Sequence, residues 1–565
     1  SSHSKLDSPS QPRPCWAGSW EGSGGMVRHL VLAGLGLLGT CRAGDAELSA
    51  LVAELQQMAR RQQERIDTYD SLVEKQQAKV APRQLRDESF LPSTIYSGSQ
   101  QLSGTRTYRA VDANDLLLTH IWLLLCGALA VLMQAGFAVI EVGHGRVKNA
   151  QVILLKNLAV VAASCWGWWC FGWSFAYSGP LVYGYKENKF AGKEQFLGHH
   201  FMLVRQDGQI EPSSTMLRWF FNWPFCAAAT VIASAGVSER ISFLGSLIFA
   251  FLFSSFIYPI VVAWTWGNGW LADMNETGYM DFAGSGVVFL SGGTAALVGS
   301  MIAGRRTGRF EYLSGKERLV NWPRSFQPHS VPLVVMGTFI IWFGWYGLAC
   351  GSTISMANIE KGMLAAQVAM NMTIAAAGSG MVVFLLRLAM CRKFDILMFC
   401  NGILAGLVSI SAGCSTVECG SAVAIGIVGG ILYYVTALVI RIAKIDDPVD
   451  AFAVYGVPGL WGVLAAALFD WGNSFSHVHG WQGFRCMADN FGNCRASLGG
   501  DLVAANCALI GAVFGWVAVL SAVVFLVLKV TKLLKNQTYA DEESGAGEAG
   551  GAAYTYEEVY VNNSI

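Results

Sequence analysis

Apolar residues in this chain gather into long blocks and do not alternate. Between 115 and 529 eleven blocks are long enough to span a bilayer: roughly 115–140, 152–178, 214–236, 241–265, 283–303, 331–350, 361–388, 394–412, 419–441, 452–470 and 501–529. About 20 helical residues cross a hydrocarbon core of about 30 Å. The pattern predicts an all-α polytopic membrane protein with eleven transmembrane helices.

Loop charges set the expected orientation. Arg146 and Lys148 follow the first block. Arg305, Arg306, Arg309, Lys316, Arg318 and Arg324 follow the fifth, Arg392 and Lys393 the seventh, and Arg441 and Lys444 the ninth. Lys529, Lys532 and Lys535 mark the end of the last block, whereas the loops at 267–281 and 413–418 hold no Lys or Arg. Odd-numbered blocks therefore end in the cytosol, with the N-terminus outside and the C-terminus inside.

Four regions follow. Residues 1–44 hold an upstream stretch and then Met26, Arg28, His29, the apolar run Leu30–Leu38 and small residues at Ala43 and Gly44. That is the layout of a secretory signal peptide, or of a short membrane anchor. Residues 45–112 hold an outside helix and a polar linker. Leu48, Leu51, Leu55 and Met58, then Tyr69 and Leu72, share one register, a short coiled-coil seam or an amphipathic helix on the protein's own surface. Residues 113–535 form the transmembrane domain, and the acidic, Gly-rich stretch 536–565 is a cytosolic tail.

Composition sharpens this picture. Of 565 residues 53% are hydrophobic and only 14% charged, too few charges to cover a water-facing surface. The 39 basic and 39 acidic residues balance, which argues against nucleic acid as a partner. Asn275-Glu276-Thr277 is a glycosylation sequon in an outside loop. Cys486 with Cys494, and Cys414 with Cys419, also lie outside, where each pair is either bridged or free; a bridge is favoured for the first pair. No metal or cofactor pattern and no nucleophile–base pair stands out. His477, His479, Cys486 and Cys494 are explained more simply by a disulfide than by a metal. His120, His144 and His329 lie near helix ends, where capping is the commoner role.

The order of several motifs resembles the ammonium transporter/Rhesus superfamily, the ammonium transporter branch in particular. They are Leu132-Met133-Gln134-Ala135-Gly136-Phe137-Ala138 with Glu141-Val142-Gly143, then Ser238-Glu239-Arg240-Ile241, Asp281-Phe282-Ala283-Gly284, Gly344-Trp345 through Ser352, Asn401-Gly402, and Asp446-Asp447-Pro448-Val449-Asp450. The resemblance implies a homotrimer in a lipid bilayer. Each subunit has a pore between two pseudo-symmetric five-helix halves, with the eleventh helix outside them. It implies ammonium or ammonia as substrate and an outer recruitment site at Phe221, Phe225, Trp266 and Ser352. Aromatic faces and a hydroxyl suit a partly dehydrated cation; without the resemblance these aromatics read as packing or interface residues. It also implies that Asp281 supports the vestibule as a helix cap, that Trp345 and Leu348 line the gate, and that Asp447 and Asp450 fix helix ends.

One departure is decisive. Transporting members of the family line the pore centre with two histidines, and here those positions are Phe289 and Tyr455. Phe289 has no hydrogen-bonding group, and a phenol with a pKa near about 10 accepts protons poorly at neutral pH. The expected lumen is apolar and constricted. Two functions therefore stand: ammonium or ammonia transport without the twin histidines, or a non-conducting subunit with a sensory, scaffolding or assembly role. A neutral-gas channel lies between them. A protein partner would bind the 45–80 helix or the C-terminal tail.

Overall fold

The computed structural model describes residues 110–177, 190–192, 195–198, 203–204, 210–211, 215–272, 274–275, 278–306, 309–310, 326, 328–356, 359–469, 487–488, 494–495 and 498–535, with side chains from 117 onward outside the short strands. The chain divides into two units, Ser1–Leu91 and Pro92–Ile565, and every described residue belongs to the second. The expected signal peptide, the 45–80 helix, the acidic tail, Cys486, Glu276 and Thr277 lie outside the described residues.

Each of the eleven apolar blocks falls on helix. In chain order these are α1 (Ala110–His144), α2 (Ala150–Gly167), α3 (Trp173–Tyr177), α4 (Thr215–Ala235), α5 (Phe243–Leu252), α6 (Tyr258–Trp264), α7 (Ser291–Ala303), α8 (Val331–Gly351), α9 (Ile359–Cys391), α10 (Ile396–Ile410), α11 (Cys419–Ile442), α12 (Val457–Leu468) and α13 (Leu498–Val530). Four of the rods contain a π-helical turn: Trp168–Gly172 joins α2 to α3, Phe253–Ile257 joins α5 to α6, Ser285–Leu290 leads into α7, and Phe452–Gly456 leads into α12. With α2–α3, α5–α6 and the two π-led rods taken as continuous, eight helices among the described residues are long and apolar enough to cross a membrane. Two more, Ile396–Ile410 and Phe452–Leu468, are apolar but shorter. The remaining helix, α4, carries Arg218, Asn222 and Pro224 and is not among those eight.

Strands are minimal. β1 (Leu203–Val204) pairs antiparallel with β2 (Ile210–Glu211), and β3 (Met487–Ala488) with β4 (Cys494–Arg495). These two loop hairpins are a small addition to the all-helical expectation. Cys414 and Cys419 are free thiols, so the second cysteine pair is not bridged.

Small residues let the central helices touch. α1 and α8 run antiparallel: a Cβ on Gly347 would lie 2.6 Å from the Cys126 carbonyl oxygen, and one on Gly337 2.8 Å from that of Gly136. The rods carrying the Ser285–Leu290 and Phe452–Gly456 turns also cross antiparallel, since a Cβ on Gly293 would sit 2.4 Å from the Gly456 nitrogen and one on Gly462 2.6 Å from Ser285 Oγ. Close backbone approach of this kind is how helices gain dispersion contact where lipid removes the hydrophobic drive between them. The outer faces are apolar: Leu158, Phe339, Met390 and Val530 are all exposed, as a lipid-facing surface requires.

One end of the bundle is locked by buried charge. Arg306 donates to both Asp446 oxygens from one guanidinium edge, Nε and Nη2, at 2.8 Å each, and contacts Glu239 through Nη1. Glu239 accepts from the Arg146 backbone N–H at 2.9 Å and from Asn149 Nδ2 at 2.7 Å. Burial would raise the Glu239 carboxyl, but Arg306 and Arg146 overcome it and hold it at about 2. The Phe326 ring lies 5.1 Å from the Arg306 guanidinium and 5.2 Å from that of Arg146. Beyond α13 the chain returns to this end, where the Ser242 N–H donates to the Leu534 carbonyl at 2.9 Å.

Candidate functional site

Two groups of aromatic rings lie within the helical bundle. The first is built on α4. Phe221 and Phe225 stand one turn apart on the same helix face, with ring centroids 5.2 Å apart and planes at 68°. Phe225 meets Trp266 edge-to-face at 5.5 Å. Trp266 lies just beyond α6, and its indole N–H donates to the Asp281 backbone carbonyl at 2.9 Å. Gly351 ends α8 against Phe221, where a Cβ would come within 2.4 Å of the ring. Ser352 follows directly, its hydroxyl donating to the Leu348 carbonyl at 2.9 Å. Phe221 and Phe225 are buried, while Trp266 and Ser352 are half-buried. A cluster of π faces rimmed by a hydroxyl is chemically suited to a small cation.

Asp281, whose carbonyl holds the Trp266 indole, is itself engaged by backbone amides. Its Oδ1 accepts from the Gly284 N–H at 3.0 Å, and its Oδ2 from the N–H groups of Gly286 and Val287 at 2.8 Å each. Both oxygens are therefore spent on the amides at the start of the π-helical turn. Gly284 adopts φ +93°, the left-handed turn that folds the backbone back onto the carboxylate. Burial pushes the Asp281 carboxyl up to about 6, against the pull of the four amides at 284–287.

The second group lies deeper. Phe289 has no solvent exposure; its ring stacks on Trp345 at 4.5 Å with planes 18° apart, and on Tyr455 at 6.2 Å with planes 26° apart. Phe137 closes the other side of Tyr455 at 6.0 Å. The Trp345 indole N–H donates to Ser411 Oγ at 3.2 Å, and Leu348 is fully buried beside it. Phe289 and Tyr455 both stand on π-helical turns, where one extra residue per turn re-aims a side chain. The two positions that the family resemblance assigns to histidine are thus brought together, and both face this stack.

Asp447 and Asp450 stand where helix ends need them. Asp447 Oδ2 accepts from the Phe452 N–H at 2.9 Å. Asp450 pairs with Arg441 at 3.3 Å, and its carbonyl starts the turn by accepting from Val454 at 2.8 Å. Asn275 is exposed, with its Nδ2 donating to the Asp501 carbonyl at 3.1 Å. Cys494 is described only as backbone in β4.

Sequence reasoning missed Phe137, Ser411 and the π-helical turns. Two of the four turns share a spacing, with Asp281 eight residues before Phe289 and Asp447 eight before Tyr455, but the other two lack it, so it is no signal for π winding.

The model of the Ammonium Transporter Family matches residues 121–554. Ammonium transporter Amt2 of Archaeoglobus fulgidus is 34% identical over 362 residues, 63% of this chain and 72% of that protein. Ammonium transporter 1 member 2 of Oryza sativa subsp. japonica is 32% identical over 433 residues, 73% of this chain and 82% of that one. Among solved structures, a Sensor Amt Protein is similar at a TM-score of 0.66 with 28% identity, covering 78% of this chain and all of that one. Mep2 of Candida albicans shares the fold at 0.64, with 23% identity over 79% of this chain and 95% of its own. With its apolar helices and a family match over most of its length, this chain is an integral membrane protein and belongs to the ammonium transporter family.

Proposed function

We propose that the protein carries ammonium or ammonia across a membrane, taking it up at Phe221, Phe225, Trp266 and Ser352 and passing it through a lumen whose narrowest part is the Phe289–Trp345–Tyr455 stack. The observation that carries this reading is the contiguous run of rings from Phe221 to Trp266, anchored through the indole to the backbone of the capping residue Asp281. A cation on such faces gains about 0.5–2 kcal/mol, more as water is excluded. The reading includes eleven crossings with the N-terminus outside, a homotrimer with one pore per subunit, entry through a signal peptide to the plasma membrane, a glycan on Asn275 and a Cys486–Cys494 bridge. A protein partner on the 45–80 helix or the acidic tail completes it.

Uptake of ammonium by cells lacking their own ammonium transporters tests it. Uptake above background that weakens in Trp266→Leu supports it; no uptake with the protein at the surface removes the transport part.

The full burial of Phe289 favours a second reading, a non-conducting membrane subunit with a sensory, scaffolding or assembly role. In that case ammonium still binds at the outer rings but none crosses. An apolar centre also suits neutral ammonia or carbon dioxide, and liposome gas permeability separates that case from ion transport.

A further inference from the structure

The two carboxylates that stand eight residues before Phe289 and Tyr455 are not used alike. Asp281 has both oxygens engaged by backbone amides. Asp447 is less fully engaged: Oδ2 accepts from the Phe452 N–H at 2.9 Å, while Oδ1 is buried with no hydrogen bond within normal distance. Its neighbours are already committed. Asp446 is held by Arg306, with Arg240 at 3.8 Å, and Asp450 by Arg441. Asp447 itself makes no ion pair among the described residues, and Arg240 acts on it only at longer range. The residue is 5% exposed. A carboxylate oxygen left bare at that burial is costly, and it is stable only with a donor or cation against it. Asp447 caps the start of the turn that carries Tyr455, and because the two π-led rods run antiparallel it lies at the opposite end of them from Asp281, whose carbonyl holds Trp266.

We propose that Asp447 Oδ1 is the acceptor of a second, cytosolic-side binding site for ammonium, beneath Tyr455 and opposite the outer aromatic site. Ammonium matches what the site lacks: a positive charge to balance the unpaired carboxylate and N–H donors for Oδ1, on an ion small enough for a buried position. Burial and the adjacent Asp450 push the Asp447 carboxyl up to about 6, against the weaker pull of the Phe452 and Ala451 amides and of Arg240. The proposal rests on the ammonium reading of the protein but not on transport, because a non-conducting subunit would hold the same ion.

The test is titration calorimetry of the full-length protein in micelles with ammonium chloride against choline chloride. Asp447→Asn keeps an oxygen for the Phe452 amide and removes the charge. Two binding events are expected in the wild type, one in Trp266→Leu, and none within a tenfold range of concentration in Trp266→Leu/Asp447→Asn. A residual event unchanged by Asp447→Asn overturns the inner site and leaves the outer one standing. A single wild-type event abolished by Trp266→Leu does the same. No event in any protein removes both the inner site and the ammonium reading. Should the double variant fail to fold, thallium(I) in wild-type crystals replaces it. An anomalous peak in coordination contact with Asp447 Oδ1 supports the site, and a peak only at Trp266 overturns it.

Discussion

Replacing Asp281 by asparagine separates its charge from its role as a cap. Three backbone N–H groups converge on this carboxylate. Alanine would strand all three in a buried site at about 1–3 kcal/mol each, on the order of 3–9 kcal/mol together, which is a large share of a typical folding stability. Asparagine keeps one acceptor oxygen and turns its amide toward one of the donors, so its cost is about 1–3 kcal/mol. The charge has a separate effect on a bound cation. At an effective dielectric constant of about 20, a unit charge about 8 Å away contributes about 2 kcal/mol, or about thirtyfold in affinity. Because burial pushes the carboxyl up to about 6, the charge is present at pH 7.5 and lost as pH falls through 6. The half-saturation concentration for ammonium should therefore rise by up to that factor between pH 7.5 and 5, and Asp281→Asn should be weak and flat across the range. Stability runs the other way. A raised carboxyl favours the native state below its ordinary 3.8 and loses that contribution, about 3 kcal/mol, as pH rises through 6. Ammonium binding and not thermal unfolding is thus the assay, since Glu239 has the opposite sign and masks the stability term. A wild-type affinity that stays constant from pH 7.5 to 5 would refute the reasoning.

Three other outcomes are expected. Trp266→Leu removes the cation–π face and should raise the half-saturation constant about two- to thirtyfold, from about 0.5–2 kcal/mol, with the maximal rate unchanged; a fall in rate alone would contradict a recruitment role. Arg306→Ala leaves Glu239 and Asp446 buried without their main partner and should cost about 3–5 kcal/mol, read as a lowered unfolding temperature of the purified protein. Gly293→Ala places a methyl 2.4 Å from the Gly456 nitrogen and should separate the two π-led rods, with a measurable loss of stability, whereas Gly362→Ala, which meets nothing within 4 Å, should be neutral.

Much of the architecture was legible because a bilayer forces it. A helix that must bury its own backbone hydrogen bonds in lipid announces itself as a long apolar block, and all the blocks named from the sequence fall on helix. The Asp281 cap was legible for a local reason, since its acceptors and donors lie within six residues. The π-helical turns were not, because a continuous apolar run hides a one-residue change in winding. Nor was the Arg306 lock: its partners Glu239 and Asp446 lie 67 and 140 residues away, and only the fold brings the three together. The stack of Phe289 on Trp345 and Tyr455 stands between these cases. The missing histidines were plain in the sequence, but that the rings meet face to face, with Phe137 behind them, is a property of the packed helices.

Ammonium-evoked flux into proteoliposomes, compared between the wild type and Phe289→His/Tyr455→His, bears most directly on that stack. If the buried rings restrict passage, the double variant should carry many times the wild-type flux per protein while half-saturation, set at Phe225 and Trp266, stays the same. Equal fluxes, or a variant that shifts half-saturation and leaves the maximal rate unchanged, would mean the rings are not where passage is limited.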